Sequence, residues 1–437
     1  MIQLDECIDW INTNSFKKIC LQLSDDVSKY LIELVLYLQK HTNASFFVIN
    51  DTGYQNCCND KLLANHVEAE ACVHFGHACL TSSNNLPTFY VFPKNTIDVN
   101  KFCKAFYKQF QDLTMKVLLF YDVSYAHCIE DIYSRLSKDY NYLIVTKLDC
   151  ISNVKFTTAS PGYYNTKILG RCYHLPENTS CTSYHAIFLG PNDEVLMTLA
   201  LSVSVANWSY FDNFKFCNYM SHESIRLRKR NFLIEKIKDA ITFGIVIGSL
   251  SVTLTLQITA MLKSILRTVN KKTYVLSIRE LTPTKLANFH EIDVFVLVSC
   301  PESSLLDTHG YFKPIVTPYE IDLAFNTARK LSLFHSIDFK ELLFGGINHI
   351  VFESSQESDY SLTSGKIRSS KSINFSSQNK AVLLKDLGSV ISNRIGNSFF
   401  LSRTWTGLQQ NLGKTEVTSA VLGRDGIPIN YNNEKSN

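Results

Sequence analysis

Apolar residues in this chain fall into short, nearly unbroken runs, and between them an apolar side chain recurs every three or four positions. Unbroken runs suit strands buried on both faces, and the intervening spacing suits helices, so together they predict βαβ units on parallel sheets. Three blocks follow one another. The first holds a helix "VSKYLIELVLYLQKH", a strand "SFFVIN", a helix through "DKLLANHVEAE", and strands "ACVHFG" and "TFYVFP". The second opens with "MKVLLFYDVSYAHCIEDIYSRLSKDYNYLIVTKL" and runs through "YHAIFLG" and "EVLMTLALSV". The third begins near Asn231 and repeats the scheme with "FGIVIGS", "KTYVLSI", a helix "TPTKLANFHE" and "VFVLVSC". The expected fold class is α/β, with three similar domains at residues 1–112, 113–222 and 223–345, each a small parallel sheet flanked by helices.

After Lys340 the pattern degrades, and 346–437 reads as a C-terminal extension. Its Ser-rich stretch "SSQESDYSLTSGKIRSSKSINFSSQNK" has too few apolar residues to support a core and is expected to be a disordered insert. Order is expected to resume at "NSFFLSRTWTGLQQNLG", where aromatics return. One other segment stands apart: Ala240 to Leu262 carries no charge over about the length of a membrane span. Its Gly, Ser, Thr and Gln residues dilute the hydrophobicity, so it reads as the buried strand "FGIVIGS" followed by the helix "TLTLQITAMLKSILRTVN", and no membrane is expected as a partner.

With 437 residues and 45% apolar content, the chain has material for several ordinary cores. A formal charge of +3 gives no global field of the kind that draws nucleic acid. The basic run "SIRLRKRN" reads as a solvated helix start or linker. Asp5, Glu6 and Asp9 stand where a secretory leader needs a basic start and an apolar block, so a cytoplasmic location is expected. Thirteen cysteines, odd in number and unevenly spaced, are unlike the framework of a small disulfide-rich domain and are expected to be reduced.

Three cysteine positions fall at the carboxyl ends of predicted strands, the edge where open α/β sheets build their sites. Cys57 and Cys58 follow "FFVIN", Cys79 follows "CVHFGHA", and Cys300 closes "VFVLVSC". Thiolates from distant loops suit an iron–sulfur cluster, because sulfur is the soft donor that cluster iron prefers. Two other readings stay open from spacing alone. Cys58, His74, His77 and Cys79 form a mixed-ligand zinc set, and buried free cysteines also serve as small apolar filler. No Walker loop, GxGxxG or GxSxG occurs, and Gly244 and Gly248 in "GIVIGS" read as packing or turn glycines rather than a phosphate loop.

At these residues the chain resembles the 2-(3-amino-3-carboxypropyl)histidine synthase family of diphthamide biosynthesis, on the side of its eukaryotic subunit 2. The resemblance rests on "NDTGYQNCCND", on "CVHFGHACL", on Lys285 to Phe325, "KLANFHEIDVFVLVSCPESSLLDTHGYFKPIVTPYEIDLAF", and on "RTWTGL" with "GRDGIPINY" near the C-terminus. It implies three α/β domains around a central [4Fe–4S] cluster. It also implies the reaction: reductive cleavage of S-adenosylmethionine, whose 3-amino-3-carboxypropyl group passes to a histidine of translation elongation factor 2. Carried onto this chain, the cluster ligands are Cys58, Cys79 and Cys300, with only one of Cys57 and Cys58 expected to face the cluster.

The middle domain departs from the pattern of the catalytic subunit: in "KILGRCYHL", Arg171 stands where that subunit has a cysteine directly after Ile-Leu-Gly, and Cys172 is displaced by one residue. The resemblance therefore implies an accessory subunit that is not catalytic by itself. It would form a heterodimer with the catalytic subunit 1, which binds S-adenosylmethionine, and would take electrons from a donor protein to keep the partner's cluster reduced. The alternatives are that this chain is itself the transferase, which turns on whether Cys172 reaches the cluster, or that it is a cluster-free scaffold.

Overall fold

The computed structural model describes residues 4–49, 57–59, 61–80, 86–154, 166–177, 179–212, 214–248, 254–278, 281–304, 310–330, 336, 338–354, 358–363, 365, 367–368, 419, 426–427 and 430–431. Residues 1–373 make one compact unit. Its N-terminal part comprises helix α1 (Asp5–Asn14), strand β1 (Lys18–Leu23), helices α2 (Asp25–Ser28) and α3 (Leu31–His41), strand β2 (Ser45–Ile49), helix α4 (Lys61–His66) and strands β3 (Ala71–Phe75) and β4 (Thr88–Val91). The central strand β1, "KICLQL", lies parallel between β2 and β3 and is not among the predicted strands. Gln22 interrupts its apolar run, yet it is fully buried because its amide donates to the Cys58 carbonyl at 2.7 Å. Ile8 and Ile11 of α1 and Leu34 and Leu38 of α3 pack with Ile19, Leu21, Val73 and Phe75 of the sheet.

The chain continues through α5 (Val99–Gln109), β5 (Val117–Tyr121), α6 (Ile129–Leu136), β6 (Leu143–Val145), β7 (Lys147–Leu148), β8 (Ile151–Ser152), β9 (Thr166–Ile168), β10 (Arg171–Tyr173), β11 (His185–Leu189), α7 (Glu194–Ser202), β12 (Asn207–Asp212) and β13 (Lys215–Asn218). The second principal sheet has the order β13-β12-β11-β5-β6 and is parallel except for β13, an antiparallel edge strand that the βαβ pattern does not predict. Strand β5 shows why the run "VLLFY" does not alternate. Val117, Leu119 and Tyr121 enter a core with α5 and α6, while Leu118 and Phe120 enter a second core with α7. Strands β7, β10 and β9 form a small antiparallel sheet. Strand β8 instead adds to β4 of the first sheet, so pairing crosses the boundary expected at residue 112.

The last part of the unit holds α8 (Met220–Asp239), β14 (Thr242–Ile247), α9 (Thr255–Thr268), β15 (Lys272–Ser277), α10 (Pro283–Ala287), β16 (Val294–Val298), α11 (Pro301–Ser304), β17 (Ile315–Val316), α12 (Pro318–Phe325), α13 (Phe339–Leu342), β18 (Asp359–Tyr360) and β19 (Ile367–Arg368). Its parallel sheet has the order β15-β14-β16-β17. The uncharged stretch 240–262 is divided between β14 and the start of α9, and among the described residues no helix is long and apolar enough to cross a membrane. Helix α9 buries Ile258, Leu262, Ile265 and Leu266, one stripe at helical spacing, each contributing about 1.5–3 kcal/mol. Gly244 is a packing glycine, since a Cβ there would meet the Ile292 side chain at 2.6 Å.

Two expectations need correction. The basic run "SIRLRKRN" lies inside α8 and is not wholly solvated: Arg230 is buried and pairs with the fully buried Glu320 at 2.7 Å. Glu320 also accepts from the Thr317 amide and closes a capping box at the start of α12. The Ser-rich stretch, expected to be disordered from its first residues, begins with a hairpin of β18 and β19. Arg368 holds it to α8, reaching Asp239 at 2.6 Å and Glu235 at 2.9 Å. The remainder of that stretch and "NSFFLSRTWTGLQQNLG" lie outside the described residues. In the second unit, 374–437, β20 (Gly426–Ile427) and β21 (Asn430–Tyr431) pair as an antiparallel hairpin.

Candidate metal centre

Cys57 and Cys58 precede α4, Cys79 follows β3, and Cys300 lies between β16 and α11. The turns after these parallel strands converge, and the four Sγ atoms lie within 4.8 Å of one another. Cys57 and Cys300 approach to 3.4 Å, Cys58 and Cys79 to 3.3 Å, and Cys57 and Cys58 to 3.9 Å. These separations far exceed a disulfide bond of about 2.05 Å, so the sulfurs are thiols available to one acceptor. All four residues are buried.

Cys57 and Cys58 both join the group, against the expectation that only one would face it. That expectation holds for an extended strand, where successive side chains point to opposite faces, but these two residues occupy a tight bend. The bend is held by its backbone. The Cys79 amide donates to the Cys57 carbonyl at 3.2 Å, Gln22 donates to the Cys58 carbonyl, and the Asn59 amide donates to Thr88 and Tyr90 of β4.

Crowding four thiols makes them share protons unequally. Hydrogen bonds from Cys57, Cys58 and Cys79 hold the Cys300 thiol well below the ordinary range, while donation toward Cys300 pushes Cys57 and Cys58 well above it. A hydrogen bond with Cys300 and burial act to raise the Cys79 thiol, but hydrogen bonds from Cys57 and Cys58 outweigh them, so it is lowered as well. A thiolate is the form that binds metal, so the group favours anionic donors at Cys300 and Cys79. Beyond Cys79 the backbone turns sharply: Leu80 has φ of 56°, a left-handed conformation costing about 1–2 kcal/mol for a residue with a Cβ. Gly170 packs against it with φ of 71°, and a Cβ there would fall 2.2 Å from the Leu80 Cβ, which leaves room for glycine alone.

The mixed zinc set does not assemble, because neither imidazole joins the sulfurs. His74 is buried in β3 with Nε2 on the His77 carbonyl at 2.9 Å, and burial pushes its pKa down. His77 turns its ring to two carboxylates, with Nε2 2.7 Å from Glu302 and Nδ1 3.7 Å from Asp122. Burial alone would lower its pKa, but the Glu302 charge and hydrogen bond, with Asp122, raise it to about 9.

Arg171 is buried in β10, where its guanidinium donates to the Leu169 and Tyr121 carbonyls at 3.1 and 3.3 Å. The neighbouring Cys172 is buried, pairs through its backbone with Lys167 and Lys147, and stays outside the thiol group. Sequence reasoning missed Gln22, Asn59, Asp122 and Glu302. Of these Asn59, next to Cys58, and Glu302, two residues after Cys300, carried a signal in their nearness to a candidate ligand.

The chain matches the family model for diphthamide synthesis proteins over residues 23–333. It is 33% identical to the 2-(3-amino-3-carboxypropyl)histidine synthase subunit 2 of Xenopus laevis, covering 99% of this chain and 92% of the relative. The subunit 2 of Danio rerio is 31% identical with the same coverage. Among solved structures, Dph2 from Pyrococcus horikoshii, crystallised with a 4Fe-4S cluster, shares the fold with a TM-score of 0.58 at 19% identity, over 74% of this chain and 91% of that one. By the family model and by relatives matched along nearly its whole length, the chain belongs to the diphthamide synthesis protein family, beside the proteins named subunit 2 of the histidine synthase.

Proposed function

We propose that this chain is the accessory iron–sulfur subunit of a heterodimeric synthase in diphthamide biosynthesis, acting in the cytoplasm. The observation that carries this reading is the buried convergence of four thiols from three strand-end turns. Soft sulfur donors in an apolar setting suit an iron–sulfur cluster, and the Pyrococcus relative of like fold was crystallised with one. Cys58, Cys79 and Cys300 give one ligand per turn, and Cys57, 3.4 Å from Cys300, stands by as a fourth thiol. A bound [4Fe–4S] cluster supplies one-electron redox chemistry. The chain's own residues hold it dry, favour thiolate at Cys300, and fix the bend at Cys57 and Cys58 through Gln22 and Asn59.

On this reading the catalytic subunit 1 binds S-adenosylmethionine and modifies elongation factor 2, and this chain passes electrons from a donor protein to the partner's cluster. The transferase alternative loses support because Cys172 lies apart from the thiols and Arg171 occupies the adjoining position. Each of the three principal sheets with its helices serves as one α/β domain, at 1–112, 113–222 and 223–345, except that β8 of the second stretch joins the first sheet. One specific observation favours a second reading. A tetrahedral zinc with Zn–S bonds of about 2.3 Å spaces its sulfurs by roughly 3.8 Å, near the 3.3, 3.4 and 3.9 Å of three of the sulfur pairs here, all four sulfurs lying within 4.8 Å of one another.

Anaerobic purification decides between them. Iron and acid-labile sulfide in equal amounts, with no transfer to elongation factor 2 until subunit 1 is added, is the expected result. Zinc without sulfide would establish the second reading, and transfer by this chain alone would overturn the accessory role.

A further inference from the structure

The block that contributes no thiol to the group contributes a carboxylate beside it. Asp122, at the carboxyl end of β5, faces Nδ1 of His77 at 3.7 Å, and Glu302, two residues beyond Cys300, accepts from Nε2 at 2.7 Å. His77 itself is two residues before Cys79. One imidazole therefore touches an acid from each of the other two blocks, and both acids are largely buried, with side chains 12% and 7% exposed. Asp122 is fixed in turn. It accepts from the Ser124 amide and hydroxyl, and the strand end before it is held by Arg171 through the Tyr121 carbonyl. The main chain of His77 is held by His74, whose Nε2 meets the His77 carbonyl.

We propose that His77 is a positioning residue of the thiol site: by bridging Glu302 and Asp122 it holds the Cys79 turn and the Cys300 turn at the separation that binds the cluster. This rests on the reading of the thiols as cluster ligands. Groups that orient metal ligands without touching the metal alter affinity by about 10–100-fold when removed, and His77 stands in that relation to two ligands on different sheets.

The test compares His77→Phe, which keeps a ring of similar volume without nitrogens, with Glu302→Ala, the double variant and the conservative Glu302→Gln. Each full-length chain is reconstituted anaerobically, and iron release to a chelator is followed together with the electron paramagnetic resonance spectrum of the reduced protein. His77→Phe and Glu302→Ala should each release iron about tenfold or more faster than the wild type and shift the resonance. The double variant should be no faster than His77→Phe alone, because that change already breaks the bridge to both acids. Glu302→Gln, which keeps an acceptor for Nε2, should recover most of the loss. Should Glu302→Ala fail to fold, His77→Phe alone decides. Wild-type release and an unchanged spectrum in His77→Phe, or additive losses in the double variant, would overturn the bridge while leaving the cluster reading intact. Absence of iron and sulfide in the wild type would instead defeat the reading beneath it.

Discussion

Replacing Cys300 by serine separates a ligand role from a packing role, because the two make different demands on one buried atom. Cys300 is 1% exposed and its sulfur meets that of Cys57 at 3.4 Å. Burying a hydroxyl in its place costs about 1–3 kcal/mol when unpaired, and the Cys57 thiol offers a partner, so the lower half of that range applies. At roughly 2–4 °C per kcal/mol for domains of 150–250 residues, the metal-free chain should melt only a few degrees lower and keep its circular dichroism. The effect on the cluster should be far larger. The thiols come from three turns, and the Cys300 turn has no second cysteine, so an entire attachment point is lost and an alkoxide is a poor donor to cluster iron. Iron after anaerobic reconstitution should fall from about four per chain to under about one. Full iron and sulfide in Cys300→Ser would refute the ligand assignment.

Cys57→Ser and Cys58→Ser should each retain most of the iron, since either leaves a thiol on all three turns, whereas the double variant should lose it; equal loss in both singles would show that four ligands are required. Glu320→Ala strands the buried Arg230 and opens the cap of α12, so the urea midpoint should fall by an amount corresponding to about 3–5 kcal/mol; an unchanged midpoint would show that the pair contributes nothing. Partial burial pushes the Asp239 pKa up, but hydrogen bonds from Arg368, Thr363 and Ser361 overcome it and lower it to about 2. A depressed carboxyl stabilises above its ordinary pKa and loses that contribution as pH falls through the folded value. The hairpin of β18 and β19 should therefore loosen between about pH 4 and 2, seen as faster hydrogen exchange over 359–368, and Arg368→Gln should remove this acid-dependent step.

What the sequence discloses follows from the length scale of each signal. The buried strands β3, β5, β14 and β16 are legible because a parallel strand covered on both faces must be continuously apolar. Strand β1 is not, because the buried Gln22 that interrupts it is satisfied by a tertiary partner, the Cys58 carbonyl, 36 residues away. Strand β8 has two residues and joins a sheet begun in the preceding block of pattern, which no local period encodes. Cys58, Cys79 and Cys300 stand out by position, as cysteines at strand ends. The inclusion of Cys57 does not, because it depends on a bend whose geometry is set by Asn59, Gln22 and the Cys79 amide. Asp122 is equally hidden, and Glu302 is marked only by its nearness to Cys300: a carboxylate after an apolar strand is commonplace until an imidazole from another sheet meets it.

That concealment has a thermodynamic consequence. A close-spaced cysteine motif carries most of its metal site within one loop, and the unfolded chain then competes for the ion. Here Cys57 and Cys300 are 243 residues apart, and their sulfurs meet only when the first and third sheets are docked. The unfolded chain offers no comparable site, so the free energy of binding adds almost wholly to the folded state, about 2.7 kcal/mol at a hundredfold excess over Kd. The same linkage runs in reverse: whatever loosens the docking of the sheets weakens the metal site without touching a ligand. The contacts between blocks beside the thiols, Gly170 of the second against Leu80 of the first and His77 between Asp122 and Glu302, are therefore where a substitution remote from the sulfurs acts on the cluster most directly.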